Sequence, residues 1–283
     1  MTDASFGPVV SPAWLADRLG DPTLRIVDAT WYLPHLPRNA RAEFHEAHIP
    51  GAVYFDIDAI ADRTSGLPHM LAAAAAFEEA VGALGIGEGD RLVVYAGKYL
   101  SASARVWWTF RVFGHDRVAV LNGGFPRWRE EGRPVESGAP TPVPRRFTAR
   151  YRPEMVVALE GVRRNLETRR AQVLDARSAG RFAATEPEPR PGLRGGHIPG
   201  SLNLPYDRLF RREDGMLRPP GELRRLFEDA RVDLDRPIVT TCGSGVTACV
   251  LALGLHLVGG RDVAVYDGSW TEWGGREDVP VER

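Results

Sequence analysis

Short apolar runs alternate along this chain with longer stretches of helical period. The runs 24–29 (LRIVDA), 91–96 (RLVVYA) and 118–121 (VAVL) are too short for helices and rich in β-branched residues, so each predicts a buried strand. Between them lie helical patterns. One covers 12–19 behind the capping residue Ser11 and stops at Gly20. Others cover 77–85, ending at Gly85, and 103–113, closed by Gly114. The alanine run 72–76 reads as a helix start. The same series then recurs: a helix at 161–170, a strand at 172–176, a helix at 222–230 and a strand at 237–241. It finishes with a helix at 246–258, closed by Gly259 and Gly260, and a strand at 263–266. Strands alternating with helices predict an α/β fold whose mainly parallel sheets are covered by helices on both faces.

The recurrence is also literal. HIPGAVYFDID from His48 matches HIPGSLNLPYD from His197, and VAVLNGGFPRW from Val118 matches VAVYDGSWTEW from Val263. Asp28 in RIVDAT corresponds to Asp175 in QVLDARS, and RLVVYAG corresponds to PIVTTCG. Matches in one order at nearly constant spacing indicate a duplicated domain. The expected division is a first domain at 1–136, a proline-dense linker at 137–153 and a second domain at 154–283. His48 and His197 occur in both copies and each opens a turn before a strand, so both read as structural.

Charge narrows the possible partners. The 36 basic and 37 acidic residues leave a net charge of −1 with no basic stripe, so neither nucleic acid nor an anionic membrane is expected as a partner. No apolar run approaches the length of a membrane span. The opening residues show no basic-plus-apolar leader, and two cysteines do not make a disulfide framework, so a reducing cytoplasm is the expected compartment.

The stretch VTTCGSGVTACV, 239–250, carries the chemistry. It places Cys242 just past the carboxyl end of a strand, where ligand sites form in open α/β sheets. Gly243 and Gly245 allow the backbone to curl, and Val246 and Thr247 lead into a helix whose first N–H groups have no intrahelical acceptor. Such a loop cradles an anion and stabilises a thiolate. Cys249 lies inside the apolar helix and reads as a core residue. A metal site lacks a CxxC or a nearby histidine pair, a phosphate-binding P-loop lacks its Gly-Lys-Ser/Thr, and a cysteine phosphatase would need arginine where Ala248 stands.

These features together resemble the two-domain sulfurtransferases of the rhodanese superfamily, over essentially the whole chain. The paired HIPG motifs, CGSGVTAC and VYDGSWTEW carry the resemblance. It implies two tandem rhodanese-like domains, the first without a catalytic cysteine because AG replaces CG near Ala96 and Gly97. CGSGVTA is similar to the 3-mercaptopyruvate branch, whereas the thiosulfate branch usually has basic residues directly after the cysteine. The resemblance implies that Cys242 takes sulfur from 3-mercaptopyruvate as a persulfide, releases pyruvate and passes the sulfur to a thiol such as thioredoxin, or to cyanide. It implies no metal and no organic cofactor. It also implies a relay of Asp58, His69 and Ser244, and a donor carboxylate held by Arg181 and Arg190 of GRFAATEPEPR. Here the family's HMLP reads HMLA, which touches the start of the next helix rather than His69. A thiosulfate sulfurtransferase and a non-catalytic persulfide relay module remain the alternatives.

Overall fold

The computed structural model describes residues 6–34, 36–97 and 100–283; Lys98 and Tyr99, within the first copy's glycine loop, lie outside these. The chain forms two compact units. One holds the residues up to Ala61, Ala72–Tyr151 and Arg212–Met216. The other holds Asp62–Leu71, Arg152–Arg211 and Leu217–Arg283.

The first unit contains β1 (Val9–Val10), α1 (Pro12–Ala16), β2 (Leu24–Asp28), α2 (Ala40–Glu46), β3 (Ala52–Tyr54) and α3 (Ala74–Ala83). It continues with β4 (Arg91–Tyr95), α4 (Ser101–Val112), β5 (Val118–Leu121) and α5 (Gly124–Glu130). The second contains β6 (Val156–Val157), α6 (Leu159–Thr168), β7 (Gln172–Asp175), α7 (Ala179–Phe182) and β8 (Leu202–Asn203). α8 (Pro220–Asp229), β9 (Ile238–Thr241), α9 (Ala248–Leu257), β10 (Val263–Tyr266) and α10 (Ser269–Trp273) complete it. The strand orders are β1-β5-β4-β2-β3 and β6-β10-β9-β7-β8. Every pairing is parallel, so the two sheets share one topology.

The strands are apolar along their whole length because both faces are covered. Ile26, Val93, Tyr95 and Leu121 share a core with Leu15, Phe44 and Trp128. Their neighbours Val27 and Val94, on the opposite face, are fully buried as well. In α9 every residue from Ala248 to Leu255 is buried, as a helix apolar on all sides requires. No described helix is long and apolar enough to cross a membrane.

Several boundaries moved for identifiable reasons. The helix expected at 161–170 runs Leu159–Thr168, because Arg169 takes a left-handed backbone at φ +47°. The helix expected at 246–258 begins at Ala248, after Gly245 at φ +76° has finished the loop. The helix expected at 12–19 stops at Ala16, although Ser11 caps it as read, its Oγ accepting from the Trp14 N–H at 3.1 Å. The alanine run does start α3, at Ala74. Residues 137–152 form neither helix nor strand. Those up to Tyr151 belong to the first unit, where Arg145 Nη1 donates to both Asp90 oxygens at 2.6 Å. Phe147 there is buried among Phe77 and Phe110.

The paired HIPG histidines hold equivalent places. His48 Nδ1 donates to the Phe44 carbonyl at 2.7 Å and His197 Nδ1 to that of Phe182 at 2.9 Å. Each ring stacks on that phenylalanine, at 4.1 and 3.7 Å. A duty performed identically in both copies is architectural.

Candidate active site

Cys242 follows directly after β9, at the carboxyl edge of the second sheet, and is 2% exposed. The start of α10 clamps it from a distant point in sequence. Its N–H donates to Ser269 Oγ at 3.2 Å, and its carbonyl accepts from Trp270 N at 2.9 Å. The next carbonyl, Gly243, accepts from both Thr271 N at 2.8 Å and Thr271 Oγ1 at 2.6 Å. The backbone then curls through Gly245 into α9. Among the described residues, none accepts a hydrogen bond from the N–H groups of Gly243, Ser244, Val246 or Thr247. Those donors, at a helix N-terminus, suit an anionic sulfur adduct on Cys242. Ser244 is buried within this loop. Cys249 is fully buried in α9, its Sγ donating to the Gly245 carbonyl at 3.2 Å. One thiol is held at the loop and the other supports the loop from the core.

Two arginines and a glutamate form the adjoining wall. Glu188, with a side chain only 2% exposed, accepts from Arg177 Nη1 at 2.7 Å and from Arg181 Nη2 at 2.6 Å. Arg181 Nη2 lies 3.0 Å from where a Cβ would stand on Gly243. Glycine at 243 therefore makes room for this guanidinium. The bonds to Glu188 use Arg181 Nε and Nη2 and leave the Nη1 hydrogens for a ligand. Arg190, partly exposed, lies two residues beyond Glu188 on the same segment.

Arg177 has a different task. Its guanidinium is fully buried, bonded to Asp175 at 2.6 Å and to the Gly196 carbonyl at 2.8 Å, and lies 4.1 Å from the Trp270 ring centre. Burial works against its charge, but Asp175 and Glu188 outweigh it and raise its pKa above the ordinary arginine value. Arg194 is spent on the carbonyls of Trp273, Gly274 and Val279. Both guanidinium groups are spent on bonds within the protein.

His69 and Ser244 belong to the same unit. The segment Asp62–Leu71 comes from the first half of the sequence but clusters with the second unit, where Leu71 N donates to Asp267 Oδ2 at 2.8 Å. His69 is 5% exposed and holds φ +62°, a region that non-glycine residues rarely adopt. Asp58 belongs to the first unit, where its Oδ2 accepts from Trp31 Nε1 at 2.7 Å. Beside it Asp56 accepts from the N–H groups of Asp58 and Ala59.

The first unit shows what the site needs. Tyr95 pairs with Asp28 as Thr241 pairs with Asp175, so Ala96 occupies the cysteine position. The Arg177 position is Thr30, and with no arginine bound to it, burial raises the pKa of Asp28, only partly offset by the hydrogen bonds from Thr30. Sequence reading missed Asp175–Arg177–Glu188 as a buried ion network, and Ser269 and Thr271 as clamps. Glu188 is one of two acids, with Glu186, between Arg181 and Arg190, and the clamps Ser269 and Thr271 sit inside VYDGSWTEW; no spacing in either stretch names their partners.

A family model for the rhodanese-like domain matches residues 11–131 and again 158–276. The chain belongs to the rhodanese-like family. Human 3-mercaptopyruvate sulfurtransferase is 48% identical to it, over 94% of this chain and 91% of that protein. Mouse thiosulfate sulfurtransferase is also 48% identical, over 95% of this chain and 92% of its own. The solved structure of SseA from Escherichia coli, described with the rhodanese fold of 3-mercaptopyruvate sulfotransferases, superposes with a TM-score of 0.85 at 40% identity, covering 93% and 98% of the two chains. The rhodanese-like chain is thus an enzyme of the sulfurtransferase class, with relatives of equal identity named for different donors.

Proposed function

We propose that this rhodanese-like enzyme takes sulfur from 3-mercaptopyruvate through a persulfide on Cys242. The observation that carries the reading is the neutral loop: Gly243 and Ser244 add no charge beside Cys242, and Arg181, packed against Gly243, already shares its charge with Glu188. A doubly charged donor would be met mainly by backbone dipoles. A donor with one carboxylate needs one guanidinium face, which Arg181 Nη1 and Arg190 supply.

In the first half-reaction the Cys242 thiolate attacks the donor sulfur. A sulfur–sulfur bond forms and the carbon–sulfur bond breaks, its electron pair leaving with the pyruvate enolate. The enolate takes up a proton, and the outer sulfur stays on Cys242 as a persulfide near the loop N–H groups. In the second half-reaction a thiol such as thioredoxin, or cyanide, attacks the outer sulfur and returns the thiolate. Ser244 and His69 handle the proton; the left-handed backbone of His69 is the kind of local cost retained at functional positions. Ser244→Ala should slow cleavage of 3-mercaptopyruvate while iodoacetamide still alkylates Cys242 at the wild-type rate. Unchanged cleavage would reduce Ser244 to packing.

Thiosulfate is the competing donor, favoured by relatives named for it. The decisive measurement is kcat/KM for both donors with one thiol acceptor. We expect a clear preference for 3-mercaptopyruvate. Arg190→Ala should raise its KM roughly 10- to 100-fold, the loss of one charge-assisted contact, and change that of thiosulfate much less. A preference for thiosulfate, or equal effects of the substitution, would reject the donor assignment and leave the persulfide chemistry standing.

A further inference from the structure

Because both units follow one plan, each position at the amino-terminal edge of one sheet has a counterpart in the other. Leu92 of β4 pairs with Arg25 and Val118, and Ile238 of β9 pairs with Gln172 and Val263. Arg236, two residues before Ile238, therefore stands where the first unit has Asp90. Arg231 stands where the first unit has Gly85. Each follows the C-cap of a helix, with φ +61° and +74°. Each turn is closed by the same bond, Val232 N to Phe227 O at 2.9 Å and Ile86 N to Val81 O at 3.3 Å.

The charges at these two edges are handled in opposite ways. In the first unit they are matched: Asp90 binds Arg145 at 2.6 Å and lies 3.5 Å from Arg25, and Asp21 binds Arg91 at 2.6 Å. In the second unit Arg169, Arg231 and Arg236 line one cavity of about 260 Å³ that has no carboxylate in its wall. Among the described residues, none of the three forms an ion pair. The only side-chain hydrogen bond among them is Arg236 Nη2 to the Arg169 carbonyl at 2.9 Å. Asp233 Oδ1 accepts from the Asp235 N–H and Glu282 Oε2 from the Gly200 N–H.

Cations after helix ends complement the helix dipole, which accounts for Arg169 after α6 and Arg231 after α8 one at a time. It does not account for Arg236, which precedes a strand, or for the meeting of all three. Nor does it explain an arginine in a left-handed turn where glycine serves the first unit at lower conformational cost. Exposed arginines on the wall of one cavity that has no carboxylate are the chemistry that receives tetrahedral oxyanions. The cavity is smaller than the roughly 300–1,000 Å³ of organic-ligand pockets, so it suits an ion rather than a large molecule. We propose that this edge of the second unit is a binding site for a small tetrahedral dianion of the phosphate type, held by Arg169, Arg231 and Arg236.

The test is thermal unfolding of the full chain with increasing potassium phosphate, ionic strength being held constant with chloride. A ligand bound only by the folded state raises Tm as its concentration rises. Wild type should show a saturating rise. Arg236→Asp and Arg231→Gly, which restore the first unit's residues, should lose it. Arg231→Gly relieves the left-handed arginine, so a folding failure would not confuse the result. Both arginine variants should still transfer sulfur from 3-mercaptopyruvate at the wild-type rate, which separates this site from the sulfur chemistry. Equal phosphate responses in wild type and both arginine variants would overturn the proposal. So would a response to polyglutamate with none to phosphate, which would mark the edge as a contact for an acidic chain.

Discussion

Cys242→Ser should abolish sulfur transfer, with a loss of at least about 10³-fold in kcat, as removal of a covalent nucleophile does elsewhere. A serine hydroxyl at this position would have the same neighbours: Ser269 Oγ on its N–H, Trp270 on its carbonyl and the loop N–H groups beyond. Only the nucleophilic sulfur would be missing, so the fold and the donor site should survive. Mass spectrometry after a single turnover should show one added sulfur atom on wild type and none on the variant. Cys249→Ser is the control. Its hydroxyl can keep the bond to the Gly245 carbonyl, and most activity should remain. A Cys242→Ser enzyme with substantial turnover, or a sulfur adduct on Cys249, would remove the assigned nucleophile.

Arg177→Met should have the largest effect on stability. It removes the cation from between Asp175 and Glu188, whose side chains are 1% and 2% exposed, and leaves two buried carboxylates without a partner. Breaking a buried ion pair in this way costs about 3–5 kcal/mol. In a protein of this size that lowers the Tm of the second unit by roughly 10 °C. The damage should reach the donor site through Glu188. Freed of Arg177, this carboxylate can follow Arg181 away from Gly243, so KM for 3-mercaptopyruvate should rise in whatever fraction remains folded. Denaturant unfolding and donor kinetics on the one variant test both statements. A loss below about 1 kcal/mol would show that the network is dispensable.

The contrast between Arg177 and Cys242 marks how much could be read before folding. Cys242 was legible because its requirements are local: a strand end, glycines and a helix start, all within a dozen consecutive residues. The duplication was legible because its motifs recur in order, and with it the mainly parallel character of the sheets and the architectural duty of His48 and His197; the strand order was not. The short edge strands β1 and β6, two residues each, were not, since two apolar residues carry no period.

The sequence by itself determined the two α/β units and the strand-end glycine loop that holds Cys242, with no cysteine at the matching place in the first unit, because periodicity and loop composition depend on neighbours along the chain. Tertiary structure decided the rest. Ser269 and Thr271 reach Cys242 and Gly243 across 27 and 28 residues, Glu188 joins Arg177 to Arg181, and His69 clusters with a unit formed mostly by the other half of the chain. Such partners are chosen by which strands lie side by side, and no spacing along the chain encodes that choice.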